Sequence, residues 1–144
     1  MMSYRITTDK EEMDVDAIHH YLSRSYWAEK MPKGVVAKAI ENSLCFGVLL
    51  EEVSGVEKQV GFARLITDSA TFAYLADVYI LEEHRSKGLS KQMMKQIVKH
   101  PQLQGLRRIM LATRDAHGLY AQFGFTPLTD EKMFMQLWTP DVYQ

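Results

Sequence analysis

Between an apolar run and an amphipathic one, the sequence reads Glu83-His84-Arg85-Ser86-Lys87-Gly88-Leu89-Ser90-Lys91. A strand that turns directly into a helix presents the helix's first unpaired N–H groups to solvent. Those groups carry roughly half a positive charge, so a diphosphate placed there is both hydrogen-bonded and electrostatically favoured. Gly88 lets the backbone approach without a Cβ in the way. Arg85 and Lys87 add full charges, and Ser86 and Ser90 offer hydroxyl donors. The chemistry of this junction is phosphate recognition. Taken alone, the same residues fit an ordinary solvated loop equally well. The spacing matches neither G-x-x-x-x-G-K-[ST] nor G-x-G-x-x-G, which disfavours a mononucleotide kinase or a dinucleotide enzyme.

A second group of chemistry-bearing side chains surrounds the junction. Asp77, Glu82 and Glu83 are the nearest carboxylates, and His117 offers an imidazole, the side-chain type suited to acid-base work near neutrality. Cys45 is the single cysteine, which excludes an internal disulfide and a cysteine-based zinc cluster; no metal is expected. It lies in the apolar run Leu44–Leu50 and reads as a buried, reduced thiol rather than a nucleophile. The formal net charge of −1 gives no bulk attraction to nucleic acid or to an anionic membrane, so any anion site is local. Lys87, Lys91, Lys95 and Lys99 recur every four residues as one basic helix face, the usual solvated side. That face carries no interleaved aromatics, so nucleic acid is not an expected partner. No run approaches the roughly 20 apolar residues that span a bilayer, and no signal-peptide core follows Met1. The cytoplasm is the expected location.

The elements that must position these residues follow from periodicity. Arg5–Thr7 reads as a strand, and Thr8 or Asp9 as the start of a helix that buries Val15, Ile18 and Leu22. A second helix runs from about Gly34 to Asn42. Cys45–Glu51 and Gln59–Thr67 form a hairpin around a turn with Gly55, and Thr71–Leu81 is a long apolar strand. Leu89, Met93, Ile97 and Val98 lie at helical spacing up to Pro101. Arg108–Thr113 is a strand, Ala116–Phe123 a short helix ended by Gly124, and Met133–Trp138 a last strand. The order β-α-α-β-β-β-α-β-α-β predicts one domain over residues 1–144, a mixed sheet with helices on both faces, of the α+β or α/β class.

In that setting, "VYILEEHRSKGLSKQMMKQIV" resembles the acetyl-coenzyme A-binding segment of the GCN5-related N-acetyltransferases, the GNAT superfamily. The superfamily pattern [QR]-x-x-G-x-[GA] falls on Arg85-Ser86-Lys87-Gly88-Leu89-Ser90, with Ser90 in place of the usual glycine or alanine. Downstream, "LATRDAHGLYAQFGFTPL" resembles the family's later strand-helix unit through Ala116, Leu119, Tyr120, Gly124 and Phe125. Thr113 stands where the family often has asparagine.

The resemblance implies a GNAT-like splayed sheet and transfer of an acetyl group from acetyl-CoA to an amine, in one step within a ternary complex. It implies that Asp77–Ile80 parts from Arg108–Thr113, leaving Val78 and Ile80 to pair with the pantetheine arm. An N–H at Val78 or Tyr79 would then stabilise an oxyanion. Arg85, Ser86, Lys87, Gly88, Leu89 and Ser90 would hold the pyrophosphate, with Thr113 and Ala116 on the far side of the arm, and part of the lysine face would meet the 3′-phosphate. Tyr120 matches the usual general acid. Asp77 is the candidate base, pointing either into the site or into an ion pair. The acceptor, expected to be a small-molecule amine, would be met by Tyr21, Tyr26, Trp27, the loop 29–33, Phe134 and Trp138, with Arg64 and Asp68 either paired or reading the acceptor. Homodimers are frequent in the superfamily, although the chain itself specifies no oligomeric state. A coenzyme A-binding module without catalysis is the alternative, against which Tyr120 argues.

Overall fold

The near-continuous apolar run 44–50 has a simple outcome: strand β2 (Leu44–Glu51) is buried on both faces of the sheet. A computed structural model describes residues 3–144. Its five strands lie in the order β1-β2-β3-β4-β5, with β1 Ser3–Thr7, β3 Glu57–Thr67, β4 Phe72–Ile80 and β5 Arg108–Leu111. All neighbours are antiparallel except β4 and β5, which run parallel and are joined through the helix α3 (Leu89–Lys99). Helices α1 (Val15–Leu22) and α2 (Lys33–Glu41) cover one face, and α3 with the short α4 (His117–Ala121) the other.

Each face has its own core. Ile18, Leu22, Val36, Ile40, Cys45, Phe62 and Tyr79 pack beneath α1 and α2. Phe46, Val48, Leu65, Leu75, Met93, Met94 and Ile97 pack beneath α3. Val60 joins the α3 side although Phe62, two residues on, joins the other. A register shift at Val48/Leu49 supplies the extra residue that exchanges the faces. Immediately after it, Gly61 is closely packed: a Cβ there would lie 2.6 Å from Ile80 Cδ1 and 3.0 Å from Val48 Cγ2, so Ile80 would have to shift.

Two expected boundaries moved. Asp9 caps only a single 3₁₀ turn, Lys10–Glu12, and α1 starts later, where Asp14 Oδ1 accepts from the Ala17 N–H at 3.0 Å. Both aspartates are competent caps, and the buried Met13 between them breaks the run. The expected last strand, Met133–Trp138, is not a strand. A 3₁₀ turn, Glu131–Met133, leads into an irregular stretch with no strand partner among the described residues. No helix among the described residues is long and apolar enough to cross a membrane.

Candidate active site

β4 is the element on which the site is built, and its defining feature is a bulge. Phe62 stands opposite Tyr79 and Arg64 opposite Ala76, so Asp77 and Val78 together face Ala63 alone. Asp77 takes the left-handed φ of +57°, uncommon for a residue with a side chain. On the other edge, pairing with β5 ends at Leu75 opposite Leu111. From Ala76 to Ile80 the strand has a sheet neighbour only on its β3 side. The two parallel strands therefore part at the bulge and leave a cleft edged by free backbone groups.

The cleft leads to the junction before α3. Glu82–His84 form one 3₁₀ turn, Ser86 (φ +64°) and Gly88 (φ +77°) are both left-handed, and α3 begins at Leu89. Among the described residues, the N–H groups of Ser86, Lys87, Gly88, Leu89, Ser90 and Lys91 have no backbone acceptor. Consecutive free N–H groups at a turn and a helix start form an anion-binding concavity. A groove of about 380 Å³ opens over them, lined by Ile80, Arg85, Gly88, Ser90, Lys91 and Leu119 among others. The Leu89 side chain itself is buried in the core, which anchors the first turn.

The family model described as the acetyltransferase (GNAT) family matches residues 11–125. This chain belongs to the GNAT acetyltransferase family.

A candidate acetyltransferase of Gibberella zeae, FG08082, is 36% identical over 137 residues, covering 83% of this chain and 76% of that protein. A crystal structure of a candidate GNAT acetyltransferase from Xanthomonas campestris pv. campestris is 48% identical, with a TM-score of 0.90 and coverage of 98% and 96% of the two chains. A structure from Clostridium acetobutylicum described as a predicted acetyltransferase with acetyl-CoA shares the fold, with a TM-score of 0.63 at 17% identity, covering 95% and 96% of the chains.

Within this GNAT fold the residues singled out in the sequence take different positions. Val78 is half-buried at the bulge, and Tyr79 and Ile80 are buried. Ser86 and Gly88 are exposed along the groove, and Lys87 between them in sequence is exposed but does not line it. Arg85 is partly committed elsewhere: its Nε donates to the Ile80 carbonyl at 2.9 Å and its Nη2 to the Tyr21 hydroxyl at 3.3 Å. It ties the junction to β4 and α1. The His84 ring meets the Tyr4 hydroxyl, 2.8 Å from Nδ1, on the opposite flank. Thr113 Oγ1 accepts from the Ala116 N–H at 3.0 Å, so its hydroxyl orders the entry to α4.

Asp77 is engaged by two neighbours. Its buried carboxylate accepts from Arg64 Nε at 2.7 Å and from Trp27 Nε1 at 2.9 Å. Of the two orientations open to it, the ion pair is the one adopted. The carboxylate thereby joins β3, β4 and the loop after α1 at the bulge. Arg64 also donates to Ser43 Oγ at 3.2 Å, and it does not meet Asp68. Asp68 instead accepts the N–H groups of Ala70, Thr71 and Phe72 in a turn.

The Trp27 bond was invisible in the sequence, and it draws the loop after α1 onto β4. Tyr21 stacks on Tyr79 with ring centroids 3.9 Å apart, Tyr26 sits edge-on to Trp27, and the Arg114 guanidinium lies 3.8 Å over the Tyr26 ring. Burial, with Tyr21 adding to it, pushes the Tyr79 hydroxyl above its ordinary range. Tyr120 is buried on α4 against Phe125. Burial raises its hydroxyl above the ordinary value of 10, with Tyr26 and Asp115 adding to the effect, so it keeps its proton at neutral pH. Burial likewise pushes the Cys45 thiol up to about 11. It is inert at neutral pH. Among the described residues no group of three or more His, Cys, Asp or Glu is placed to hold a metal ion.

Proposed function

We propose that this chain transfers an acetyl group from acetyl-CoA to a primary amine of a small-molecule acceptor, by direct attack within a ternary complex. The observation that carries the reading is the run of six unpartnered N–H groups, Ser86 to Lys91, at the mouth of the cleft between β4 and β5. They would hold the pyrophosphate of acetyl-CoA, with Lys87 and the α3 lysines adding charge. The free edge of β4 at Val78 and Ile80 would receive the pantetheine amides as an added strand, with Thr113 and Ala116 closing the other side.

Acetyl-CoA, when bound, supplies an activated acyl group with a thiol leaving group. The protein's share is to orient, polarise and protonate. An N–H of the bulge, at Val78 or Tyr79, donates toward the thioester oxygen as charge develops there. Tyr120 holds a proton for the departing sulfur. Taking the thiol as near 8.5 and a tyrosine at 10 or above, complete transfer is uphill by roughly 2 kcal/mol or more, so the useful contribution is a hydrogen bond. The acceptor enters past Tyr26 and Trp27, both substantially exposed. A primary amine has pKa near 10.4 and loses its proton to solvent before attack.

Incubation with acetyl-CoA and an amine panel, following free thiol release, tests this. Thiol release that depends on an amine is the expected result; no release with any amine would overturn it. One observation favours a second reading, a coenzyme A-binding module without turnover: the engagement of Asp77 by Arg64. In that case acetyl-CoA raises the melting temperature and no thiol appears.

A further inference from the structure

An arginine without a counter-charge stands on the acceptor side of the cleft. Arg5, Arg64 and Arg108 each pair with a carboxylate, whereas Arg114 pairs with none among the described residues. Its side chain makes no hydrogen bond among them either. The guanidinium lies over the Tyr26 ring, 3.8 Å from its centre. A cation so placed is held by the ring's negative face while its N–H donors remain open to a ligand.

The stack is fastened from both walls of the cleft. On the β4 side, Tyr26 sits edge-on to Trp27 at 5.1 Å, and Trp27 Nε1 donates to Asp77 at the bulge at 2.9 Å. On the β5 side, Thr113 Oγ1 accepts from the Ala116 N–H at 3.0 Å, which ties the turn bearing Arg114 to the start of α4. Tyr120 lies on α4, and Tyr26 and Asp115 are both near enough to add to the rise in its pKa. Arg114 and Tyr26 thus meet beside the hydroxyl assigned to the departing sulfur. Tyr26 is 52% exposed, so the stack faces solvent where an acceptor arrives.

This arrangement discriminates among amines. The Tyr26 face, on which a cationic amine would otherwise stack, is already taken by a cation, and like charge disfavours a polyamine there. A planar fork of donors, oriented and uncompensated, suits a planar anion, and a carboxylate accepts two parallel N–H bonds from it. One guanidinium balances a carboxylate's single charge. A phosphate's charge of nearly −2 would be left half-compensated beside Asp115, which is exposed and next in the chain.

Given the acetyl transfer proposed above, on which this inference rests, we propose that the acceptor is an amino acid whose carboxylate is bound by Arg114, with Tyr26 as the positioning residue beneath it. The bonds exchanged are the same: the amine nitrogen bonds the acetyl carbon as the carbon–sulfur bond breaks. The sulfur takes a proton from Tyr120, and the proton lost by the nitrogen returns through solvent. The carboxylate takes no part beyond orientation.

The test follows thiol release from acetyl-CoA at neutral pH with the common amino acids, their carboxamides and spermidine. The best amino acid is expected to exceed its own carboxamide in kcat/KM by about 10- to 100-fold, the worth of a charge-assisted contact, and spermidine to be a poor acceptor. Arg114→Gln is expected to raise KM for that amino acid by a similar factor, with kcat changed less and the preference for acid over amide lost. Its Kd for acetyl-CoA should stay within about twofold of the parent's. Tyr26→Leu should weaken the preference, and Tyr26→Phe, which keeps the ring, should retain it. Carboxamides or spermidine turned over as well as amino acids would overturn the proposal and leave acetyl transfer to amines standing. So would a preference for the acid that survives Arg114→Gln. No thiol release with any amine would remove both.

Discussion

Arg64 Nε lies 2.7 Å from Asp77 Oδ2, bridging β3 and β4 at the bulge where β4 parts from β5. Both side chains are largely shielded, 13% and 5% exposed, so the pair fastens the backbone that forms the cleft. Removing one partner strands a buried charge, at a cost of about 3–5 kcal/mol. Arg64→Ala is therefore expected to lower the melting temperature markedly and to weaken acetyl-CoA binding together with it. Asp77→Asn separates the two roles open to this carboxylate. A positioning role predicts lost stability with the pH profile of the remaining activity unchanged. An unchanged melting temperature with a shifted pH profile would instead identify Asp77 as the base.

Tyr120→Phe removes a hydroxyl whose proton is held tightly by burial. The expected result is a fall in kcat, on the order of 10²-fold, with the Kd for acetyl-CoA within about twofold of the parent. A general acid acts in its protonated form, so activity is lost only as pH rises through its pKa. Burial places that pKa above 10, and the parent enzyme should show no loss attributable to Tyr120 up to that pH. Steady-state rates across pH 7–10 check both points. An unchanged kcat in the variant would remove Tyr120 from the chemistry.

Gly61 lies where β3, Val48 and Ile80 converge, and Ile80 borders the groove at the start of α3. Gly61→Ala forces a methyl to 2.6 Å from Ile80 Cδ1, so Ile80 or its strand must move. Overpacking of this kind costs about 1–3 kcal/mol. A lower melting temperature accompanied by weaker coenzyme binding is expected, and a melting temperature equal to the parent's would contradict the packing described.

Away from the cleft, Glu12 is hydrogen-bonded by Arg5 and Thr7, which hold its carboxyl down at about 2 from an ordinary 4.5. The unfolded chain therefore binds this proton first. The stabilisation is complete above about pH 4.5 and is lost as pH falls toward 2. Glu12→Gln should flatten the dependence of melting temperature on pH in that window; identical slopes for the two proteins would contradict it.

Periodicity carried most of the fold. The double-sided burial of β2, the helical stripe of α3 and the glycine-bearing junction are local patterns, and local patterns are what a sequence displays directly. The Arg64–Asp77 pair was not legible, because the residues that choose between cleft and ion pair are brought together only by the β3–β4 register. The position of Arg85 marks it as a phosphate ligand, and that its Nε also donates to the Ile80 carbonyl depends on the fold of the turn and is not legible in the sequence. Met133–Trp138 has the composition of a strand, but strand formation depends on a partner, and among the described residues it has none.

The most direct measurement is an amide nitrogen–proton titration of the labelled protein with coenzyme A. The largest shifts are expected at Ser86 to Lys91, whose N–H groups lack backbone acceptors, with smaller ones at Val78 to Ile80. Saturating shifts located elsewhere, with residues 86–91 unmoved, would contradict the assignment of this turn as the phosphate cradle.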